Sequence, residues 1–151
     1  MSESSSLKEK VQFRLEQDDG YPPVTVEGIW VRALNGVRYV DNIPFYAYGV
    51  GPGDQISVKN DSEGLWFDKV VKSSGTSVFR IFAKNRNDIP AIRAALLDLS
   101  CPSEVDAKMG LIAVEIPVGV DPVSVLDFLM EGQEIGQFDF EEGVLRHALP
   151  E

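Results

Sequence analysis

Between residues 10 and 17 the chain alternates strictly: Val11, Phe13 and Leu15 fall on one side, Gln12, Arg14 and Glu16 on the other. A period of two is that of a half-buried β-strand. Asp18-Asp19-Gly20 followed by Pro22-Pro23 ends it. Residues 24–34 and 37–43 predict two more strands, joined by Asn35-Gly36. That dipeptide suits a two-residue type I′ hairpin because both central residues need positive φ. Residues 42–49, Asn-Ile-Pro-Phe-Tyr-Ala-Tyr-Gly, carry a proline and several rings and read as a corner or edge segment. Residues 49–54 form a turn, and residues 55–60 and 65–74 predict further strands around Asp61-Ser62-Glu63-Gly64. Five or six short strands with no helix between them predict a small antiparallel β-barrel or bent sheet, with Trp30, Trp66, Phe67, Val70 and Val71 in its core.

The rhythm then changes. Residues 77–83 are β-rich, Asn87-Asp88 offers a helix cap, and Pro90 suits a first turn. Ile89, Ile92, Leu96 and Leu99 recur at helical spacing. A hairpin follows from residues 103–106 and 111–118, with Ile112, Val114 and Ile116 alternating against Ala113 and Glu115. Asp121-Pro122 opens a second helix that Gly136 can end, and Phe138 and Phe140 alternate with Asp139 and Glu141 in a last strand. The order β-α-β-β-α-β is that of a ferredoxin-like sheet with both helices on one face. The expected fold class is therefore α+β: a β-rich half over residues 7–75 packed on a ferredoxin-like half over residues 76–143. Residues 1–6 are expected to be a disordered tail and residues 144–151 a C-terminal tail.

Charge sharpens this division. The net charge is −10, yet residues 1–97 hold 12 acids and 12 bases, while residues 98–151 hold 12 acids against Lys108 and Arg146 alone. Such a surface repels nucleic-acid phosphates and anionic membranes and attracts basic proteins. No apolar run approaches the length of a membrane span, and the polar start lacks the apolar core of a signal peptide, so a cytoplasmic location is expected. Cys101 is the only cysteine, which leaves no internal disulfide and fits a reducing compartment.

The phenylalanine-bearing first strand, Gly20-Tyr21-Pro22-Pro23-Val24, the strand with Trp30, Asp41-Asn42-Ile43-Pro44-Phe45 and Gly53-Asp54 follow one another in a familiar order. Together they resemble a bacterial domain-of-unknown-function family, family 4265, from Val11 through Glu142. The resemblance implies the fold boundaries and a bacterial origin; it brings no catalytic residue. By size, charge and missing chemistry, the chain is also similar to the immunity proteins that neutralise polymorphic toxins.

Candidate chemistry is sparse. His147 is the only histidine, near the C-terminus, where a surface side chain is expected. Cys101 follows an apolar helix with no obvious cation to lower its pKa. No serine sits in a nucleophile elbow, and one histidine with one cysteine does not make a usual zinc site. Gly49, Gly51 and Gly53 imitate a phosphate-cradling loop, but Asp54 and a strand follow instead of a helix, so a tight turn is expected. Asp18-Asp19 and Glu141-Glu142 lack the alternate-position pattern of an EF-hand. No cofactor, metal site or enzymatic activity is expected.

The candidate surface is on the second helix. At 100° per residue Val125, Phe128, Leu129 and Gly132 face the sheet, while Asp127, Glu131 and Glu134 share a narrow arc opposite. Asp127 and Glu131 are like charges four apart with no lysine to balance them. The stripe is either a solvated face or a binding face. On the second reading, Asp127, Glu131, Glu134, Asp139, Glu141 and Glu142 oppose a basic protein, with Tyr46 and Tyr48 as aromatic anchors. The function expected is then a non-catalytic immunity protein covering the basic active-site cleft of a toxin domain. The alternative is a regulatory or small-ligand-binding domain, which a pocket lined by Trp30, Trp66 and residues 42–48 would favour.

Overall fold

The computed structural model describes residues 7–149; the expected tail at residues 1–6, and Pro150 and Glu151, lie outside the described residues. The chain divides into two compact units, Met1–Ser74 and Gly75–Glu151.

The first unit is a closed barrel of five strands: β1 (Leu7–Arg14), β2 (Val26–Leu34), β3 (Val37–Val40), β4 (Gln55–Asp61) and β5 (Gly64–Lys72). Successive strands pair antiparallel. Five strands of alternating direction bring the first and last together pointing the same way, so the closing pair, Val11 with Leu65 and Gln12 with Trp66, is parallel. The expected antiparallel barrel is thus corrected at its seam, and closure removes the free edges that an open bent sheet would expose. Asn35 and Gly36 turn the β2–β3 hairpin with φ of 55° and 80°, the conformation a type I′ turn requires.

Val11, Phe13, Ile29, Val31, Val40, Ala47, Val50 and Ile56 fill this barrel. Trp30 does not: it is 44% exposed, and Val71 is 60% exposed, against the expectation that both are core. Their phase explains it, since Trp30 is one residue out of step with the inward Ile29 and Val31. Lys10 lies over the Trp30 ring at 4.9 Å, and Arg14 lies over the half-exposed Trp66 at 4.0 Å, so both indoles are covered by cations rather than by core.

The second unit runs β6 (Ser77–Ala83), α1 (Ile89–Asp98), β7 (Ser103–Asp106), β8 (Leu111–Ile116), α2 (Pro122–Glu134) and β9 (Phe138–Val144). Its four strands form one antiparallel sheet in the order β7-β8-β6-β9. Phe79, Ile81, Ile112, Val114, Ile116 and Phe138 of the sheet pack on Ile92 and Leu96 of α1 and Val125 and Leu129 of α2. The cap of the first helical stretch differs from expectation. Asn85 accepts the Asn87 N–H and starts a short 3₁₀ turn, while Asp88, at the α1 N-cap, makes no side-chain capping bond. At α2 the Asp121 carboxylate does cap, accepting the Val123 N–H at 3.0 Å, with Pro122 in the first turn.

Val144, within the expected C-terminal tail, belongs to β9, and Arg146 and His147 after it are tied down. Ser77 Oγ accepts the N–H groups of Arg146 (2.8 Å) and His147 (3.3 Å), so these two residues lie against the start of β6.

Candidate binding site

The N–H groups of Phe45, Tyr46 and Ala47 donate to the Glu27 carboxylate at 2.6, 2.9 and 2.8 Å. Glu27 is 8% exposed and points inward from β2, in phase with Ile29 and Val31. One carboxylate thus gathers three consecutive amides of the corner segment, the kind of charged acceptor that is strong when buried. Asn42 adds a second tie, its Oδ1 accepting the Trp30 N–H at 2.6 Å. The corner is therefore fixed, with Tyr46 turned inward and Tyr48 exposed.

Beside this loop lies a cleft of about 420 Å³, within the range of small-ligand sites. Phe13, Phe67, Tyr46, Tyr48, Pro22 and Leu15 supply its apolar wall, and Arg14, Glu16 and Asp18 supply charge at its mouth. Phe13 and Phe67 stack at 4.4 Å and 14°, which makes one continuous aromatic slab. Tyr46 is buried and meets Tyr21 edge-on at 6.0 Å; Tyr48 is 58% exposed. Of the two expected anchors, Tyr46 is structural and Tyr48 is presented to solvent. Trp30 and Trp66 do not line the cleft.

The acidic residues do not form one surface. Asp127, Glu131 and Glu134 are exposed along α2, with Val123 (37%) and Met130 (60%) exposed on the same helix. Asp139 and Glu141 alternate with the core-facing Phe138 and Phe140, so they lie on the face of the sheet turned away from both helices. Asp139 pairs with Lys84 at 3.6 Å. Glu141 is half-buried, its carboxylate 4.0 Å from Arg80, which is fully buried. Gly143 leaves the space for that guanidinium, since a Cβ there would stand 2.4 Å from Arg80 Nη1. Glu141 is committed to balancing a buried cation, and Glu142 alone of the three is exposed without a described ion pair.

Groups that could do chemistry are occupied by the fold. Ser77 Oγ lies 2.6 Å from His147 Nδ1, and His147 Nε2 lies 2.8 Å from the Pro117 carbonyl oxygen. A carbonyl only accepts, so Nε2 carries a proton; in the neutral ring Nδ1 then accepts from the Ser77 hydroxyl. This serine–histidine pair has the spacing of a nucleophile and its base. Ser77, however, is fully buried. The expected surface histidine is instead a half-buried clasp.

Cys101 is buried, and burial with the nearby Glu115 pushes its thiol up to about 11, which keeps it protonated and unreactive. Glu115 is itself raised above the ordinary carboxyl range, by burial and then by Glu104 on the neighbouring strand. In the glycine loop, the Asp54 carboxylate accepts the N–H groups of Gly51 and Ser74, both at 2.9 Å, so the loop binds its own carboxylate where a phosphate-cradling loop would bind an anion. Among the described residues no three His, Cys, Asp or Glu side chains gather as a metal site would need, and no helix is long and apolar enough to cross a membrane.

Glu27 was absent from the sequence expectations, and of the pocket named there for the ligand reading, residues 46–48 line the cleft while Trp30 and Trp66 do not. The available signal was phase, since Glu27 shares the inward parity of its strand.

None of the curated proteins matches the chain. A crystal structure of a hypothetical protein from Neisseria gonorrhoeae is similar to it, with a TM-score of 0.72 and 16% identity over 93% of this chain and 98% of that one. That likeness concerns the fold. The family model for the Domain of unknown function DUF4265 matches residues 27–140, beginning at the Glu27 clamp and leaving out the first strand and the Gly20–Val24 stretch. The chain belongs to the DUF4265 family.

Proposed function

We propose that this DUF4265 protein is a non-catalytic binding protein that takes a group from a basic protein partner into the cleft beside Tyr48. The observation that carries the reading is the Glu27 clamp: three amides of one corner are fixed by a buried carboxylate, which holds Tyr48 at the edge of an aromatic cleft. Preorganised aromatic side chains lose little freedom on binding, and such residues dominate interface energetics. The sign of the partner follows from the net charge of −10, which speeds encounter with basic surfaces. Within that class we favour an immunity protein that covers the basic active-site cleft of a bacterial toxin, with the exposed carboxylates of α2 steering the approach. For the second unit we infer a ferredoxin-like fold; the order β-α-β-β-α-β and the sheet order β7-β8-β6-β9 support it.

The second reading, a small-ligand-binding domain, is favoured by the volume of the same cleft, about 420 Å³. A photo-crosslinking amino acid at position 48 separates the two. In native cells, Tyr48→p-benzoylphenylalanine is expected to give a discrete adduct with one basic protein, lost when Glu16 and Asp18 are also neutralised. An adduct formed from position 127 and not from 48 moves the site to α2. No protein adduct at either position, with a small molecule retained in native mass spectra, establishes the ligand reading.

A further inference from the structure

The mouth of the cleft carries an unusual balance of charge. Glu16 and Asp18, two residues apart on the run that leaves β1, are both exposed, and among the described residues neither makes an ion pair. Residues at i and i+2 of an extended stretch share a side. Backbone bonds hold this stretch extended: the Leu15 N–H donates to the Thr25 carbonyl at 2.9 Å, and Asp18 exchanges backbone bonds with Tyr21 at 2.8 and 3.1 Å. The one cation at the mouth, Arg14, is drawn aside onto the Trp66 ring at 4.0 Å. Glu16 and Asp18 thus line the same cleft as Phe67 and Tyr48, while Phe13, stacked on Phe67, is 3% exposed and belongs to the barrel core.

From this geometry, and resting on the reading of the cleft as a binding site, we propose that it is an arginine-reading site: it accepts one arginine side chain of a basic protein, the guanidinium stacking on Phe67 and Tyr48 and pairing with Glu16 and Asp18. Three properties select arginine. A planar guanidinium stacks on ring faces, pairs with carboxylates through a fork of N–H donors, and is more weakly hydrated than an ammonium, so it enters an apolar cleft at lower cost. A lysine satisfies the charge and neither of the other two. Phosphates and other anions are repelled by the same two carboxylates. The chain already uses cation–ring chemistry on this barrel, with Lys10 over Trp30 and Arg14 over Trp66.

The test is a titration of the full ¹⁵N-labelled chain, followed by amide shifts, with a capped Gly-Ser-Arg-Ser-Gly peptide, its lysine counterpart, and p-cresol as a neutral aromatic probe. The arginine peptide is expected to shift resonances of residues 14–18, 46–48 and 67 and to bind at least roughly fivefold tighter than the lysine peptide. Tyr48→Ala is expected to abolish saturable binding. The pair Glu16→Gln and Asp18→Asn is expected to erase the preference for arginine, with the spectrum itself reporting that the fold is kept. Equal binding of the two peptides, or shifts confined to residues 123–134, overturns the proposal. If p-cresol occupies the cleft and the arginine peptide does not, the arginine proposal fails while the cleft stands as a binding site. If neither binds, both fail.

Discussion

Glu27 stands between two requirements that ordinarily conflict. It occupies an inward position of β2, where a carboxylate is costly, and it accepts from three consecutive amides of the corner. Removing it takes one charged acceptor away from all three at once. A hydrogen bond to a charged group contributes about 1.5–3 kcal/mol, and three that share one carboxylate do not add, so Glu27→Ala is expected to cost the first unit about 2–4 kcal/mol. Both tryptophans, Trp30 and Trp66, belong to that unit, so the urea midpoint followed by tryptophan fluorescence reads it directly. Glu27→Gln, which keeps an acceptor oxygen, should lose less; a change below about 0.5 kcal/mol for both, as at an ordinary surface site, sinks the clamp. Parity alone made the inward position of Glu27 legible, since it shares its phase with Ile29 and Val31. The same rule puts Trp30 outside, against the expectation of a core position. The partners of Glu27, 18 to 20 residues further on, had no local signal, because they are backbone groups and any residue type supplies them.

At the scale of the element, α2 shows both how far periodicity carries and where it stops. The sequence puts Val125, Phe128, Leu129 and Gly132 toward the sheet, and the structure buries Val125, Leu129 and Gly132 and half-buries Phe128. Why a glycine stands there is visible only in three dimensions: a Cβ on Gly132 would stand 2.0 Å from Cζ of Phe138. Gly132→Ala gains about 1 kcal/mol of helix propensity and pays an overpacking cost of about 1–3 kcal/mol, so a net loss is expected. Both helices lie in the second unit, so ellipticity at 222 nm reads the change. Adding Phe138→Leu should recover part of it, because the two side chains compete for one space. A stabilised Gly132→Ala would mean that the ring moves aside freely. The acidic surface fails to assemble for a related reason. A list of residues records that α2 and β9 are both acidic, but strand parity turns Asp139 and Glu141 to the sheet face opposite the helices, where Arg80 and Lys84 meet them.

For the whole molecule the decisive quantity is where the charge lies. Residues 1–74 hold eight bases and eleven acids, a net of −3, and residues 75–151 hold six bases and thirteen acids, a net of −7. Among the described residues the ion pairs divide the opposite way. Lys8–Asp41, Arg32–Asp41, Arg38–Glu9 and Lys59–Asp68 hold the first unit, and only Arg80–Glu141 and Lys84–Asp139 lie in the second. Salt therefore acts with different sign on the two. In the first unit it screens mainly attraction between opposite charges; in the second it screens mainly repulsion among carboxylates. Raising sodium chloride from about 0.02 M to about 0.5 M shortens the screening length from roughly 20 Å to under 5 Å, enough to cover the spacing of charges on one face. Thermal unfolding followed at 222 nm should then shift upward relative to unfolding followed by tryptophan fluorescence, by a few degrees, since about 1 kcal/mol corresponds to roughly 4–8 °C for a unit of this size. Equal shifts by the two probes would mean that the carboxylates of the second unit are too well solvated to repel one another. In that case their excess would serve the encounter with a basic partner at no cost to the fold, and only association rates, which fall with salt when charge steers them, would register it.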